Sequence, residues 1–312
     1  MDWADRIGRR IKLRDLHILL AVAKSGSMGK AASQLAISQP VISKAISELE
    51  RLVGVPLLDR TPQGVEPTAY GETLLKCGIA VFDDLRQGVK ELEFLTDPTA
   101  GELHIGCTEA GATGFVPAVI EVLSRQFARV NFHVVTADSA ALAALELPQR
   151  NVEIAIGATP SDNPVPSIET EILFNERQVV MAGRKSKWTR ARNLALADLV
   201  HERWVLPPAD SIAGFHVAEA FRSRGLLPPV AKVTSFSMPL AHHLLASGHY
   251  LSMQPVEMAR LAKHLPLKVL DVQFDGIPRS IAIMTLKNRT VSPLAKRFME
   301  CARGMAKNLK TR

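Results

Sequence analysis

Cysteine is nearly absent from this chain of 312 residues: Cys77, Cys107 and Cys301 lie far apart and form no C-x-x-C pair. That excludes a disulfide framework and a thiolate metal site, and it fits a reducing compartment. Each thiol reads as a small buried hydrophobe, because a redox sensor needs a lowered thiol pKa and a resolving partner, and the sequence shows neither. Long apolar runs are missing too. The most apolar stretches, Leu16 to Ala23 and Ile281 to Leu286, fall well short of the roughly 20 residues that a bilayer-crossing helix needs. The start, Met1-Asp2-Trp3-Ala4-Asp5-Arg6, is charged and lacks the apolar core of an export signal. No membrane partner is expected, and the expected location is the cytoplasm.

Catalytic signatures are equally scarce. His201, His216, His242, His243, His249 and His264 are scattered, and neither H-E-x-x-H nor G-x-S-x-G occurs. Gly106-Cys107-Thr108-Glu109-Ala110-Gly111 has the glycine spacing of a phosphate loop, but Ala112-Thr113 stands where a lysine and a hydroxyl would hold phosphate and magnesium. No catalytic residue, metal site or cofactor is therefore expected. With 47% hydrophobic and 22% charged residues and only 19 Gly and 19 Pro, the chain is globular, and its length suits two or three packed units. A net charge of +7 makes a polyanionic partner plausible without identifying one.

What is present begins with three short helices. Leu13, Leu16, Leu19, Leu20 and Ala23 recur at three- and four-residue steps, a stripe that ends near Lys24-Ser25-Gly26. Ser27 can cap a second helix through Ala31, Ala32 and Leu35. Ser38-Gln39-Pro40 then offers a capping hydroxyl and a first-turn proline for a third, closed by Gly54. Ile42, Ile46 and Leu49 share its inner face, while Gln39, Ser43, Lys44 and Ser47 project outward. This is the helix-turn-helix plan, whose third helix lies in the DNA major groove. Gln39 suits adenine, Lys44 suits guanine or phosphate, and serine suits either partner. Pro56-Leu57-Leu58-Asp59-Arg60, a turn at Thr61-Pro62-Gln63-Gly64, and Val65-Glu66-Pro67 form a hairpin wing carrying Arg60 toward the backbone.

Thr68 can cap a proline-free helix running to about Thr96. Leu75, Phe82 and Val89 interleave with Gly78, Leu85 and Leu92 as an a/d seam, which predicts pairing with a second copy, since the short wing offers little surface to cover it. From Gly101 onward, strands and helices alternate as an α/β region expected to have mostly parallel strands. Strands are expected at 103–107, 131–135, 152–157, 178–182, 204–206, 230–236, 250–253, 267–270 and 280–286. A final helix over 293–309 buries Leu294, Phe298, Cys301 and Met305.

The residues Leu13-Arg14-Asp15-Leu16, Gly26-Ser27-Met28, Ala31-Ala32, Leu35, Ser38-Gln39-Pro40, Ile42-Ser43, Ile46, Leu49-Glu50, Gly54-Val55-Pro56-Leu57, Arg60 and Thr68 resemble, in order and spacing, the signature of the LysR-type transcriptional regulators. Gly29-Lys30, where a Thr-plus-polar pair is common, and Gln63, at a wing tip that is often arginine, depart from it. The resemblance implies an α/β protein with an N-terminal winged helix-turn-helix (1–67), a linker helix (68–97) and a two-lobed, periplasmic-binding-protein-like sensor (98–312). Lobe one would span about 100–172 and 277–312, and lobe two about 173–276. The expected DNA-contacting set is Ser27, Ser38, Gln39, Pro40, Ser43, Lys44, Ser47 and Arg60, and Thr108, Ser139, Pro207 and, more loosely, Ser211 align with effector-cleft positions, each also suited to capping or turning the chain.

The expected partners are double-stranded promoter DNA, a small polar metabolite and a second copy of the chain. The resemblance also implies a homotetramer and contact with RNA polymerase. Two other readings compete. An α/β enzyme with an accessory head would need a converging catalytic set, and a nonspecific architectural DNA binder would leave the sensor without a purpose.

Overall fold

A computed structural model describes residues 10–61, 64–159, 165–256, 264–274 and 278–310. The chain divides into two units, Met1–Gly88 and Val89–Arg312.

In the first unit, α1 (Leu13–Ser25), α2 (Met28–Gln34) and α3 (Gln39–Val53) precede a hairpin of β1 (Leu58–Thr61) and β2 (Gly64–Pro67), and α4 (Ala69–Thr96) follows, its residues from Val89 on counting with the second unit. The stripe on α1 differs from the sequence expectation. Leu13, in the first turn, is 47% exposed, and Ile18 and Ala21 are buried beside Leu16, Leu19 and Val22. The reason is that α1 is covered on two sides: its core face meets α2 and α3, while Leu20 lies 3.6 Å from where a side chain on Gly78 of α4 would begin. The turn into α3 passes through Ala36 at φ 54°, a left-handed conformation without a glycine. Ile42, Ala45, Ile46 and Leu49 fill the core from α3, and Gly54, at φ 81°, closes that helix in the left-handed region. Beyond it, Glu50 Oε1 accepts from the N–H groups of Leu57 (2.8 Å) and Leu58 (3.3 Å), tying the end of α3 to the hairpin.

The start of α4 is clamped to the same segment. Thr68 Oγ1 accepts from Gly71 N (3.0 Å), as expected of a cap, and donates to Pro56 O (2.8 Å). The seam on α4 is only half as free as its pattern suggests. Leu75 packs on the core and Phe82 faces His17 with ring centroids 5.6 Å apart. Gly78 is buried against Leu20, whereas Leu85, Val89 and Leu92 are 49%, 53% and 65% exposed. The first two turns of the seam therefore belong to the head itself, because α1 supplies the surface that the wing alone does not.

The second unit holds two five-stranded sheets. The first comprises β3 (Ala100–Cys107), β4 (Arg129–Thr136), β5 (Ile154–Ala158), β6 (Ile168–Glu176) and β14 (Arg279–Leu286), in the order β4-β3-β5-β14-β6. Helices α5 (Glu109–Thr113), α6 (Phe115–Gln126) and α7 (Ser139–Ala141, continued by a π turn over Leu142–Glu146) connect its strands, and α10 (Pro293–Lys310) packs across one face. The second sheet comprises β7 (Gln178–Gly183), β9 (Trp204–Leu206), β10 (Ala231–Thr234), β11 (Leu251–Pro255) and β12 (Leu267–Val269), in the order β10-β9-β11-β7-β12. α8 (Ile212–Arg222) and α9 (Met238–Ala246) cover its two faces, and β8 (Leu194–Ala195) pairs separately with β13 (Val272–Gln273).

As expected of a mostly parallel arrangement, four of the five strands in each sheet run in one direction, and each sheet has one exception. β14 is antiparallel to β5 and β6, and β7 is antiparallel to β11 and β12, because the chain crosses between lobes and re-enters each sheet from the opposite end. β6 was not anticipated: its Glu169-Thr170-Glu171 segment breaks the apolar alternation. It carries 173–176 into the lobe-one sheet, so the first crossing falls after Glu176 rather than at 172, while the return crossing at 276–277 lies outside the described residues. On α10 Leu294 and Phe298 are buried as expected, together with Ala295, Ala302 and Ala306, while Cys301 and Met305 lie at the margin, since small residues let the helix approach the sheet closely.

Two glycines on α4 give opposite expectations. A Cβ on Gly71 would lie 2.0 Å from Leu57 O, while one on Gly88 meets nothing within 4 Å. Gly71→Ala should cost about 1–3 kcal/mol through overpacking, and Gly88→Ala should stabilise by about 0.5–1 kcal/mol through helix propensity. Denaturant unfolding of the full chain measures both.

Candidate functional site

The head presents one polar helix face. Ser38, Gln39 and Pro40 are exposed in the first turn of α3, Ser43 is half-buried, and Lys44 and Ser47 are exposed. The Ser38 hydroxyl makes no capping bond, contrary to the sequence expectation. Pro40 has no N–H to receive, and the N–H of Val41 goes to the Ser38 carbonyl at 3.0 Å. Ser27, by contrast, does cap α2, accepting from Lys30 N at 3.5 Å. A Cβ at Gly29 would lie 3.7 Å from Gln39 Oε1 and 3.8 Å from Ser27 Oγ, so the Ser27 and Gln39 side chains both lie beside Gly29.

Lys44 Nζ stands 4.0 Å from Glu48, with 78% of its side chain exposed. Such a surface pair holds the lysine only weakly and leaves it available to phosphate. Two exposed residues on this face escaped the sequence reading. Arg51 continues the Lys44–Ser47 row by a four-residue step, and Val41 falls outside the Ile42–Ile46–Leu49 face. Arg60 sits on β1, opposite Val65. The Arg60 side chain and the whole of Gln63 lie outside the described residues.

The second unit contains a cavity of about 240 Å³. It opens where strands of both sheets end: Thr108 follows β3, Ser139 follows β4, Ala158 ends β5, Pro207 follows β9 and Pro255 ends β11. Loops at the carboxyl ends of parallel strands gather N–H donors and hydroxyls, which makes this the expected place for a ligand. Thr108, Ser139, Pro207 and Ser211 all line it.

Their hydroxyls are not equally available. Ser211 accepts from Gly214 N (3.0 Å) and donates to Pro208 O (2.6 Å), so it is committed to capping α8. Thr108 accepts from Gly111 N (3.3 Å) as the cap of α5. Buried Ser139 is not the cap of α7, a role taken by Asp138; its Oγ accepts from Ala158 N at 3.0 Å, which leaves its O–H to donate.

Gln178, Ser235, Ser252 and Arg279, none of them expected from the sequence, also line the cavity: Gln178 and Arg279 begin the strands beside the lobe crossings, Ser235 follows β10 and Ser252 lies in β11. Arg279 and Glu176 are register partners on β14 and β6, buried and ion-paired, with Arg279 Nε 3.2 Å from Glu176 Oε2. Among the described residues Arg279 is the only cationic one in the lining, and Glu109 and Asp138 add carboxylates. Val205, Ile212, Val217, Phe236 and Met253 supply apolar wall. Fully buried Gln254 accepts from His242 Nε2 through its Oε1 (2.9 Å) and donates from its Nε2 to Ser252 Oγ (3.4 Å), fixing the latter from behind.

Burial pushes the Cys107 thiol up to about 11, with Glu109 adding to the shift, so it stays protonated and unreactive at neutral pH. One cluster escaped the sequence reading altogether: Glu102, His104 and His133 come together across β3 and β4. His104 and His133 are not among the histidines weighed from sequence, and a cross-strand pairing gives them no sequence signature.

Two family profiles match the chain: the bacterial regulatory helix-turn-helix protein, lysR family, over residues 13–72, and the LysR substrate binding domain over residues 96–307. The chain belongs to the LysR-type family of DNA-binding transcriptional regulators, which carry an effector-binding domain and are not enzymes. It is similar to the regulator GbpR of Azospirillum brasilense, 27% identical over 298 residues, covering 94% of this chain and 86% of that protein. It is also similar to YdcI of Escherichia coli, an uncharacterized regulator, 27% identical over 293 residues, covering 94% and 95%. Among solved structures, CbnR, a LysR family regulator, superposes with a TM-score of 0.67 at 21% identity, covering 95% of this chain and 99% of that one. A full-length OxyR variant from Pseudomonas aeruginosa gives 0.69 at 20% identity, with 95% of each chain covered. CbnR complexed with its target DNA gives 0.56 at 21% identity, covering 95% and 100%. No helix among the described residues is long and apolar enough to cross a membrane.

The two cavity serines should separate in a stability test. Ser139→Ala leaves the buried Ala158 N–H without its acceptor and should cost about 1–3 kcal/mol, whereas Ser211→Ala removes a helix cap worth about 1 kcal/mol. Urea unfolding of each variant checks the order.

Proposed function

We propose that α3 reads promoter DNA in the major groove, with Gln39, Ser43, Lys44 and Ser47 toward base edges and Ser27, Ser38, Pro40 and Arg60 at or beside the phosphate backbone. The observation that carries this reading is the exposed first turn of α3: Ser38 and Gln39 are surface groups, and the Ser38 hydroxyl is spent on no cap. A relative of the same fold, CbnR, has been solved with its target DNA, which supports the assignment by analogy.

A second copy pairs along the exposed half of the α4 seam, Leu85, Val89 and Leu92, with Leu95, 74% exposed, beside it. Leu75, Gly78 and Phe82 serve the head's own packing instead. Two heads then read a site of approximate two-fold symmetry. Association of two such dimers into a homotetramer and contact with RNA polymerase extend the same reading. The cavity takes a small polar metabolite. Among the described lining residues the one arginine, Arg279, is already neutralised by Glu176, and Glu109 and Asp138 oppose a second negative charge, so the favoured class is neutral and hydroxyl-bearing, with an apolar side. Binding regulates only by favouring one of two arrangements of the assembled heads.

Lys44→Ala and Gln39→Ala should each weaken binding to the specific site by about 1–3 kcal/mol while leaving effector affinity unchanged. Gel-shift titration alongside calorimetry tests both halves, and joint loss would indicate misfolding. Leu85→Glu combined with Leu92→Glu should yield single subunits in light scattering. A dimer that survives both substitutions removes the seam from the account.

A further inference from the structure

We propose that Glu102, His104 and His133 form a binding site for a late first-row divalent cation, zinc foremost, on the solvent-open face of the sensor's first two strands. β3 and β4 are parallel and in register, with His104 directly opposite His133 and Glu102 opposite Asn131. Residues two apart on a strand share a face, as do register partners on neighbouring strands. The ladder thus sets all three ligands on one side, on two adjacent rungs of rigid backbone. The imidazole rings stack with centroids 4.5 Å apart and planes inclined by 14°, and Glu102 Oε2 lies 4.0 Å from His104 Nε2.

One donor atom from each residue falls within 4.8 Å of the others. Donors around a tetrahedral zinc ion with ordinary bond lengths sit about 3.3 Å apart. Small rotations close that gap, and Glu102 and His133 are exposed enough to make them. Two nitrogens and one carboxylate suit zinc, nickel or cobalt and disfavour magnesium and calcium, which prefer oxygen throughout. Water completes the coordination on the open side.

The neighbouring cation, Lys90, does not command the site, because its Nζ is 3.7 Å from buried Glu153. Elsewhere among the described residues, no three His, Cys, Asp or Glu side chains are brought together in this way. The site is separate from the effector cavity, none of its residues being in that lining.

The test uses the untagged full-length protein, stripped with chelator and titrated with zinc chloride by calorimetry, with cobalt absorption as a second probe of the ligand set. One zinc ion per chain is expected, and His104→Ala and His133→Ala should each weaken it at least about tenfold, with Cys77→Ser as an unaffected control. Glu102→Gln keeps both imidazoles and should also weaken binding, so it decides the matter should a histidine variant lose its fold. Absence of zinc binding by the wild-type chain, or equal affinity in His133→Ala or Glu102→Gln, would overturn the proposal.

Discussion

The division of α3 into two faces is the constraint on which the rest depends. One helix must anchor the head's core and still present a reading surface. Ile42, Ala45, Ile46 and Leu49 carry the core, each buried, and burial of such side chains supplies about 1.5–3 kcal/mol apiece for the larger ones. The opposite face is then left to polar groups at no cost in packing. Both ends of α3 are fixed: Pro40 preorganises the first turn without consuming the Ser38 hydroxyl, and Glu50 binds the hairpin through Leu57 and Leu58 N–H. The hairpin is thereby tied to the end of α3, and the first turn of α4 is clamped to the same segment by Thr68.

The sensor solves a different problem, holding two sheets so that their strand ends face a common cavity. Each sheet is mixed because the chain leaves after β6 and returns into β14, and the register partners Glu176 and Arg279 meet where it does so. A buried ion pair contributes little net stability, but removing one partner alone is costly, so it fixes geometry more than it strengthens the fold. Ser211 both accepts and donates within its own cap, while Thr108 and Ser139 each accept one backbone N–H and keep an O–H to donate, so the groups free to recognise a ligand are fewer than the lining suggests.

The head was largely legible in the sequence because its signals are local: helix periodicity, caps, a first-turn proline and a short hairpin. Its errors came from tertiary context. Leu13 is exposed at a helix start, Ile18 is buried by a second neighbour, and Ala36 takes a left-handed conformation that no glycine announced. The same cause halves the α4 seam, since periodicity reveals an apolar stripe without saying whether α1 or another chain covers it. In the sensor, strands with continuous apolar runs were found and β6, with its interior Glu169-Thr170-Glu171, was not. Thr108, Ser139, Pro207 and Ser211 came from family resemblance, whereas Gln178, Arg279 and the Glu102–His104–His133 group depend on strand pairing that a single sequence does not display.

The most direct test is nuclease footprinting of the full-length protein on the DNA upstream of its own and neighbouring genes, at physiological salt. The account calls for a discrete protected site with two related half-sites on one face of the duplex, spaced by whole helical turns of about 10–10.5 base pairs. Uniform weak protection that vanishes with added salt, or no protection on any such fragment, would contradict it.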